Sequence, residues 1–370
     1  MRTIRNCSVA VAGGAGFLGS HLVNHLIEDR HCRVLVIDNL ITGHREFVHP
    51  DARFEYADIT ASEATLFKLF KHFKIHHVFN YAAEPYIPVS FERPLHVFEI
   101  NAMGALKLIN AAQDAKCESI LQVSSAEIYG NGYCLEDERG EKSGWLQLAE
   151  NAPVIPHSSY GAAKAAIDAL VQVRWREART PVIALRQFNC VGERETHPYV
   201  VPEIIGQLAR QIPADVQEPG NEFVCGRCNE RYYHDAAAGE GGHWCDAKLS
   251  ATVRLGNNSF RDFLYAGDAV RMAVELLEAG KFGEVYNLGS ESGVKVYDLA
   301  ERIGRLMGFA EVAVVPDPER VRPWEIWHLQ SDNSKINSVV KSRPQVSLDE
   351  GLRRTINWYW GNGGKWPWEK

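Results

Sequence analysis

Two short segments of this chain carry side chains that could do chemistry together. Residues 124–130 read Ser-Ser-Ala-Glu-Ile-Tyr-Gly, and residues 160–164 read Tyr-Gly-Ala-Ala-Lys. On a helix, Tyr160 and Lys164 share one face because they are four positions apart. A nearby ammonium group lowers the pKa of a tyrosine, which can then accept a proton from an alcohol. The two segments therefore predict oxidation of an alcohol, and Glu127 adds a carboxylate for a further proton transfer.

The first half of the chain contains the elements that must position these groups. Short apolar runs alternate with helical patterns. The predicted strands are 7–12, 33–38, 77–80, 119–124 and 182–186, and the predicted helices are 17–30, 63–73, 94–115 and 160–178. Because the strands are apolar throughout, this alternation predicts an α/β fold: a doubly wound parallel sheet of the Rossmann type, covered on both faces.

A glycine-rich run lies between the first predicted strand and the first predicted helix. Residues 9–19 read Val-Ala-Val-Ala-Gly-Gly-Ala-Gly-Phe-Leu-Gly, which in this context is typical of a dinucleotide-binding turn. Glycines let the backbone approach a pyrophosphate, and the helix N-terminus supplies N–H groups and a positive dipole end. Asp38 ends the next strand, where a carboxylate accepts from ribose hydroxyls and repels a 2′-phosphate, so NAD is expected rather than NADP. The cofactor contacts expected from these segments are Gly13, Gly16, Phe17, Leu18, Gly19, Asp38, Asn39, Asp58 and Ile59.

The pattern changes after about residue 189. Helices are predicted at 198–209, 296–307 and 348–360, short strands at 252–255 and 284–287, and an irregular stretch at about 214–250. We therefore expect an NAD-binding domain of residues 1–189 with later returning segments. Residues 190–370 are expected to form most of a smaller C-terminal lobe that binds substrate, interrupted by an insertion at about 214–250.

Taken in order, these motifs resemble the extended short-chain dehydrogenases/reductases, in the nucleotide-sugar epimerase/dehydratase group. The resemblance covers nearly the whole chain, and its further carriers are 81–83, Asn101, 186–189, 261–265 with Asp268, and 332–335. It implies that Ser125, Tyr160 and Lys164 oxidise the sugar at C4 while NAD takes the hydride. It also implies a homodimer, and it adds to the cofactor contacts Ala82, Ala83, Asn101, Ser124, Tyr160 and Lys164.

Substrate contacts are expected from several separate segments. Glu84 and Tyr86 lie in a loop near the nicotinamide end of the cofactor and could touch the sugar. The resemblance places Asn189 at the sugar and diphosphate, and Arg261 at a phosphate, a role that suits a guanidinium fork. It places Arg322 at the diphosphate or at the ribose of the nucleotide. The expected substrate is a nucleotide sugar, with UDP as the default nucleotide.

Glu127 decides which reaction is expected. A 4-keto sugar has an acidified C5 proton, and a base that removes it lets the C6 hydroxyl leave as water. The dehydratases that the chain resembles carry a Glu here, so the first hypothesis is 4,6-dehydration, with Tyr160 as the C4 base and Glu127 as the C5 base. Ala126 resembles the epimerases instead, which makes 4-epimerisation the alternative.

Two other hypotheses complete the set. Nucleotide-uronate decarboxylases also carry a Glu at position 127, so decarboxylation is the third possibility. A non-catalytic NAD-binding regulator is a different class, and the retention of Ser125, Tyr160 and Lys164 argues against it.

A cluster of cysteine and histidine residues predicts a metal site outside this chemistry. Cys225 and Cys228 have the Cys-x2-Cys spacing of a zinc knuckle, and His234, His243 and Cys245 follow in a polar stretch. The expected ligands are Cys225, Cys228, His243 and Cys245, with His234 as a substitute. A redox disulfide is disfavoured because this Cys-x2-Cys does not open a helix after a strand. We expect a structural zinc that supplies folding free energy to the insertion.

Composition excludes other classes of function. The formal net charge is −7 and no long basic run occurs, so no nucleic-acid partner is expected. No apolar stretch reaches membrane-spanning length, so no membrane association is expected. The N-terminal residues lack the long apolar region of a secretory signal, so the expected location is the cytoplasm.

Overall fold

The structure is a computed structural model that describes residues 2–131, 134–136, 142–145, 147–212, 222–224, 231–233, 250–322 and 324–369. The chain divides into two compact units. The first contains Met1–Cys190, Ser259–Gly293 and Arg322–Val346, and the second contains Val191–Asn258, Val294–Val321 and Ser347–Lys370. Within the described residues, no helix has both the length and the apolar character needed to span a membrane.

The helices and strands alternate through much of the chain. The strands are β1 (Ser8–Ala12), β2 (Arg33–Asp38), β3 (Arg53–Tyr56), β4 (His77–Asn80), β5 (Ser119–Ser125), β6 (Cys134–Glu136), β7 (Lys142–Trp145), β8 (Val182–Gln187), β9 (Asn189–Val191), β10 (Glu222–Val224), β11 (Arg231–Tyr233), β12 (Ser250–Leu255), β13 (Phe260–Tyr265), β14 (Val285–Leu288), β15 (Gly293–Lys295), β16 (Glu311–Pro316) and β17 (His328–Leu329). The α-helices are α1 (Phe17–Glu28), α2 (Glu63–His72), α3 (Ile87–Glu92), α4 (Pro94–Phe98), α5 (Ala105–Asp114), α6 (Ser159–Ala178), α7 (Val200–Ala209), α8 (Ala266–Ala279), α9 (Val296–Leu306), α10 (Ser334–Asn337) and α11 (Leu348–Gly361).

A seven-stranded parallel sheet forms the centre of the first unit. Its strand order is β14-β8-β5-β4-β1-β2-β3, and every neighbouring pair is parallel. The chain runs outward from β1 to β3, then returns to place β4 on the other side of β1. The carboxyl ends of β1 and β4 therefore flank the switch point, where sheets of this kind bind ligands. The predicted α/β fold with a doubly wound parallel sheet is confirmed.

The central strands are buried because successive side chains pack into opposite layers. Val9 and Val11 of β1 join a core cluster with Leu22 and Leu26 of α1. Ala10 and Ala12 point to the other face, into a cluster that includes Leu108 and Ile109 of α5. Strands covered on both faces need apolar residues at every position, which explains their uninterrupted apolar sequences.

The predicted elements match the observed ones closely. Strands β2 and β4 have the predicted bounds, and the other predicted ends differ by one or two residues. The predicted helix 94–115 consists of α4, a π-helical segment Glu99–Gly104, and α5. Several elements of the first unit lie outside the predicted set, among them β3 and α8. Helix α8 shares a buried cluster with α1 and covers one face of the sheet.

The second unit has its own small core. Strands β12 and β16 pair in parallel, and Ala251, Val253 and Leu255 of β12 are buried while the residues between them are exposed. This alternation is typical of a strand with one solvated face. At the C-terminus, the buried Trp366 packs against Trp358 and Tyr359.

Candidate active site

The glycine-rich turn between β1 and α1 is packed too tightly for any larger residue. Gly13 has φ +76°, and a Cβ there would lie 2.5 Å from the backbone nitrogen of Ala82. A Cβ on Gly19 would collide with the carbonyl oxygen of Gly13. Gly16 is the N-cap of α1 and has no side-chain cap. The N-terminus of α1 therefore presents its N–H groups and positive dipole end without a competing side chain.

Asp38 connects this turn to the end of β2. Its Oδ2 accepts a hydrogen bond from the Ala15 N–H at 3.0 Å, and its Oδ1 accepts from the Leu40 N–H at 2.9 Å. Burial raises the pKa of Asp38, and these backbone donors oppose the rise. Each carboxylate oxygen has a second acceptor position, so Asp38 can still accept from a ribose hydroxyl.

Asp58 and Asn39 lie together beyond the ends of β2 and β3. Asn39 Nδ2 donates to Asp58 Oδ2 at 2.8 Å, and the Thr60 N–H donates to Asp58 Oδ1 at 2.7 Å. Burial would raise the pKa of Asp58, but the hydrogen bonds from Thr60 and Asn39 outweigh it and the pKa is lowered. Asp58 is therefore an anionic acceptor among the predicted cofactor contacts.

Asn101 fixes the loop that follows β4. Its Oδ1 accepts from the Glu84 N–H and its Nδ2 donates to the Glu84 carbonyl, both at 2.9 Å. Glu84 Oε1 in turn accepts from the Tyr86 N–H at 3.2 Å. The structure thus gives Asn101 a role in holding the loop that contains Ala82 and Glu84.

The residues around the switch point fit NAD. The glycine turn leaves no room for a Cβ, α1 has an uncapped N-terminus, and a buried carboxylate ends β2. Gly13, Gly16, Phe17 and Leu18 would hold the pyrophosphate, and Asp38 would hold the adenosine ribose.

Ser125, Tyr160 and Lys164 are brought together by β5 and α6. Ser125 ends β5, and Ser158 begins α6 by accepting a hydrogen bond from the Gly161 N–H at 3.0 Å. The Tyr160 hydroxyl is hydrogen-bonded to Ser125. Lys164 Nζ donates to the Val123 carbonyl at 3.1 Å and lies 5.8 Å from the centroid of the Tyr160 ring.

Burial controls the protonation of this group. Burial raises the pKa of Tyr160; the Ser125 hydrogen bond opposes this, and the charges of Glu127 and Glu84 raise it further. Burial also lowers the pKa of Lys164 to about 8. The protein's own groups therefore do not produce the expected lowering of the tyrosine pKa, because desolvation and two nearby carboxylates raise it.

Glu127 lies in the 3₁₀ turn Ala126–Tyr129, directly after β5. Its backbone N–H donates to Ser125 Oγ at 3.2 Å, which fixes the turn beside Ser125. Burial raises the pKa of Glu127, and the charges of Arg322 and Arg261 oppose the rise. A carboxyl group with a raised pKa is suited to take and return a proton near neutral pH.

Two arginines predicted to meet phosphate lie near Glu127. Arg261, on β13, is buried and its Nη2 is 3.0 Å from Glu325 Oε1. Burial lowers the pKa of Arg261, while the charges of Glu127 and Glu325 oppose the fall. Arg322 is half-buried, and its charge acts on Glu127 and on Arg261. The site therefore has a cluster of two cations and two carboxylates at its edge.

Two further polar groups have buried atoms without a hydrogen-bond partner among the described residues. They are the side-chain oxygen of Asn189, a predicted substrate contact, and Nδ1 of His157. The charge of His157 lowers the pKa of Glu127. Sequence reasoning missed both His157 and Glu325. Only its place just before Tyr160 could have pointed to His157, and no local pattern marks Glu325.

The predicted zinc ligands Cys225, Cys228, His234, His243 and Cys245 lie outside the described residues. Within the part of the chain that the structure describes, no group of three His, Cys, Asp or Glu side chains could hold a metal ion. Strands β10 and β11 pair in antiparallel register, with Val224 opposite Arg231. Both cysteines of the Cys-x2-Cys sequence fall in the six residues that link these strands.

Family models place this site among known enzymes. The model described as "NAD dependent epimerase/dehydratase family" matches residues 9–289. The chain belongs to that family. The model described as "GDP-mannose 4,6 dehydratase" matches residues 244–355. The protein is thus an enzyme of the NAD-dependent dehydratase and epimerase classes, and the resemblance read from the sequence motifs is confirmed at this level.

Individual relatives fall into both classes. A dTDP-D-glucose 4,6-dehydratase of Homo sapiens is 26% identical over 97% of this chain and 91% of its own. A putative UDP-glucose 4-epimerase of Methanocaldococcus jannaschii is 27% identical over 96% of this chain and 99% of its own.

Similar solved structures also include both an epimerase and a dehydratase. A UDP-glucose 4-epimerase from Thermus thermophilus in complex with NAD has a TM-score of 0.73 at 26% identity, covering 96% of this chain and 99% of its own. A dTDP-glucose 4,6-dehydratase from Streptomyces venezuelae with NAD bound has a TM-score of 0.77 at 24% identity, covering 98% of this chain and 100% of its own, which shows a shared fold.

We predict that Gly13→Ala weakens NAD binding by more than about tenfold, equivalent to about 1.4 kcal/mol, because the added Cβ displaces the turn. Gly363→Ala is the matched control: Gly363 has φ +74° but nothing within 4 Å of its Cβ position. Both variants place an alanine at a positive φ. Only in Gly13→Ala does the added Cβ collide with neighbouring atoms. Fluorescence titration with NAD measures both, and equal affinities for the two variants would contradict the packing argument.

Proposed function

We propose that the protein is an NAD-dependent nucleotide-sugar 4,6-dehydratase. The observation that carries this proposal is the position of Glu127, whose raised pKa and anchorage to Ser125 put a second acid–base group beside Tyr160. An oxidation and reduction at C4 alone needs one acid–base group, whereas dehydration needs a second at C5. The names of the human and bovine relatives support the same reaction.

The chain's own residues supply the proton transfers. Tyr160 takes the proton of the C4 hydroxyl, and Ser125 hydrogen-bonds the same oxygen. NAD, which Gly13, Gly16, Phe17, Leu18 and Asp38 would hold, would supply the hydride acceptor for oxidation at C4 and the hydride donor for reduction at C6, so the cofactor would be unchanged over a cycle. Lys164, cationic below about pH 8, stabilises negative charge on Tyr160. Glu127 removes the C5 proton and delivers it to the C6 hydroxyl, which leaves as water. The proton that Tyr160 takes at C4 balances the proton that returns to C5 when C6 is reduced.

Epimerisation at C4 is the second candidate. Ala126, a small neutral residue before Glu127, favours it, and so does the name of the Methanocaldococcus relative. Decarboxylation of a nucleotide uronate is the third, because Arg261 and Arg322 near Glu127 could attract a C6 carboxylate. All three reactions begin with the same oxidation at C4, so Ser125, Tyr160 and Lys164 do not distinguish them.

We propose a nucleotide diphosphate sugar as substrate, with UDP as the default nucleotide. Asn189 supports this through its buried, unpartnered amide oxygen among the described residues, and Arg261 and Arg322 supply positive charge. The relatives act on UDP- and dTDP-linked glucose according to their names. The second unit is proposed to complete the substrate-binding part of the enzyme.

A homodimer is proposed through the helices that pack beside α6. Large apolar side chains on α3, α4 and the π-helical segment are exposed on the single chain; they are Phe91, Leu95, Phe98 and Met103, and Leu95 is 86% exposed. A second copy of the chain would cover this surface. The resemblance to enzymes that pair through a bundle containing the Tyr160 helix supports this choice of partner.

We also propose a structural zinc site in the 225–245 segment. The support is the spacing of Cys225 and Cys228 together with the pairing of β10 and β11 on either side of them. Two thiolates on the link of a short hairpin are half of a tetrahedral zinc site.

We predict that Glu127→Gln lowers formation of a 4-keto-6-deoxy product by about 10²-fold or more while oxidation at C4 survives. Product is read by absorbance in alkali with a panel of UDP-, dTDP- and GDP-sugars, and C4 oxidation by the absorbance of reduced cofactor. Glu118→Gln, at the opposite end of β5, is the exposed control. Unimpaired product formation in Glu127→Gln would show that another group is the base, and an epimer as sole wild-type product would replace dehydration by the second candidate.

The raised pKa of Glu127 also predicts a pH effect. Glu127 acts as a base only when it is deprotonated, so the second half-reaction is lost as pH falls through its folded-state pKa. The acid limb of product formation should therefore lie above the ordinary glutamate value of about 4.3. The measurement is product formation against pH, and the C4 oxidation measured alongside should not share that limb.

For the metal, we predict about one zinc per chain by elemental analysis of carefully purified protein. The double variant Cys225→Ser, Cys228→Ser should lose it, because two neutral hydroxyls replace two thiolates. Cys190→Ser is the control, since Cys190 lies in the described part of the chain and outside the cluster. Wild-type protein without zinc would rule the site out.

For the dimer, Leu95→Asp should give a monomer in sedimentation analysis, because a charge is then buried without a partner. Val315→Asp, at an exposed apolar position on β16 in the second unit, should leave the mass unchanged. A wild-type monomer would contradict the proposal directly.

A further inference from the structure

One face of α6 carries three buried ionisable side chains in successive turns. Tyr160, Lys164 and Asp168 follow one another at four-residue spacing, and Lys164 and Asp168 are each only 3% exposed. Tyr160 and Lys164 act in the proposed reaction. Asp168 has no direct part in it. A carboxylate removed from water in this way is costly unless it is paired.

Asp168 is paired with Arg186, which further hydrogen bonds hold in place. Arg186 Nε on β8 donates to Asp168 Oδ2 at 2.7 Å, and both side chains are buried. Arg186 Nη1 donates to the Tyr129 hydroxyl at 2.7 Å and to the Glu150 carbonyl at 2.9 Å. The Tyr129 hydroxyl donates onward to Asn287 Oδ1 at 2.7 Å. Arg186 is thereby fixed from three sides, and it fixes the Asp168 carboxylate beside the Lys164 turn.

The charge of Asp168 acts on Lys164. Burial lowers the pKa of Lys164, and Asp168 is the group whose charge opposes that fall. Arg186 in turn opposes the rise that burial causes in the pKa of Asp168, and so favours the ionised carboxylate. Lys164 Nζ itself donates to a backbone carbonyl, that of Val123.

Other titratable groups near α6 affect residues other than Lys164. Glu84 and Glu127 act on Tyr160, and Tyr129 is hydrogen-bonded to Arg186. On the helices that pack against α6, His96 acts on Asp58 and Lys107 donates to the Thr60 carbonyl. The remaining charged side chains of those helices are exposed; they are Glu92, Arg93, Glu99 and Asp114.

We propose that Asp168, held in place by Arg186, is a positioning residue that keeps the Lys164 ammonium charged beside Tyr160 and so sets the upper pH limit of proton transfer at C4. The proposal rests on the proposed function only in that Tyr160 and Lys164 act on the C4 hydroxyl. A purely structural ion pair would stabilise the fold without changing the titration of Lys164. The two roles are therefore separable by measuring that titration.

The test follows Lys164 directly in the full-length protein with its co-purified cofactor. Lysine is labelled with ¹³C at Cε, and the Lys164 signal is identified by its loss in Lys164→Arg. In the wild type its titration midpoint is expected at about 8. In Asp168→Asn the midpoint should fall by about one pH unit or more, since one unit corresponds to 1.36 kcal/mol of lost charge stabilisation. Asp168→Glu should restore it, and Glu150→Gln, elsewhere in the same network, should leave it unchanged.

A folded Asp168→Asn protein with an unshifted Lys164 midpoint would overturn the proposal. If that variant does not fold, Asp168→Asn combined with Arg186→Gln keeps a hydrogen-bonding pair without charge. A smaller downward shift in that double variant supports the proposal, and no shift overturns it. The titration needs no sugar substrate, so its outcome is independent of whether dehydration is the reaction.

Discussion

The burial of charged side chains on one face of α6 is the constraint on which the site depends. Lys164 and Asp168 lie between a helix and a sheet, where an isolated ion is strongly destabilised. The fold accommodates them because β8 is next to β5 in the sheet and carries Arg186 to the same layer. The strand order therefore determines whether Tyr160 and Lys164 can be buried away from water. Moving β8 away would remove the Arg186 guanidinium that pairs with the buried Asp168 carboxylate.

The parallel arrangement of the strands adds a second constraint. All parallel strands end at the same edge, so the glycine turn after β1, Asp38 at the end of β2 and Ser125 at the end of β5 meet there. The sheet edge thus holds the glycine turn and the Ser125 hydroxyl at a fixed separation without any long-range contact between their side chains. Glu127 lies in the turn directly after β5, and this position places its carboxylate in the same site.

Much of this could be predicted from the sequence, because the relevant signals are local. Apolar strands, the glycine run and the four-residue spacing of Tyr160 and Lys164 each depend on neighbouring residues. Strand β13 is harder to predict, because Arg261 and Asp262 interrupt its apolar pattern and are buried with partners distant in the sequence. Helix α8 lies outside the predicted set although its apolar face is regular.

The protonation states could not be predicted in the same way. The spacing of Tyr160 and Lys164 indicates a helpful ammonium group, but the pKa of Tyr160 depends on how completely the phenol is buried and on Glu84 and Glu127. Likewise, Arg261 was expected to meet phosphate, and its ion pair with Glu325 joins residues 64 positions apart. Such pairs arise only when the folded sheet brings β13 beside the segment that ends in β17.

The coupling between Glu127 and Tyr160 imposes an order on the proposed reaction. The charge of Glu127 raises the pKa of Tyr160, so a phenolate and a carboxylate are costly to hold at the same time. Transfer of the C4 proton to Tyr160 removes the phenolate and with it the repulsion that opposes an ionised Glu127. Glu127 can then lose its proton and act as a carboxylate when the new C4 ketone acidifies the C5 proton. Electrostatics and carbonyl chemistry thus favour the same sequence, oxidation first and C5 deprotonation second, and the two bases can share one small site because they are not required to be charged together.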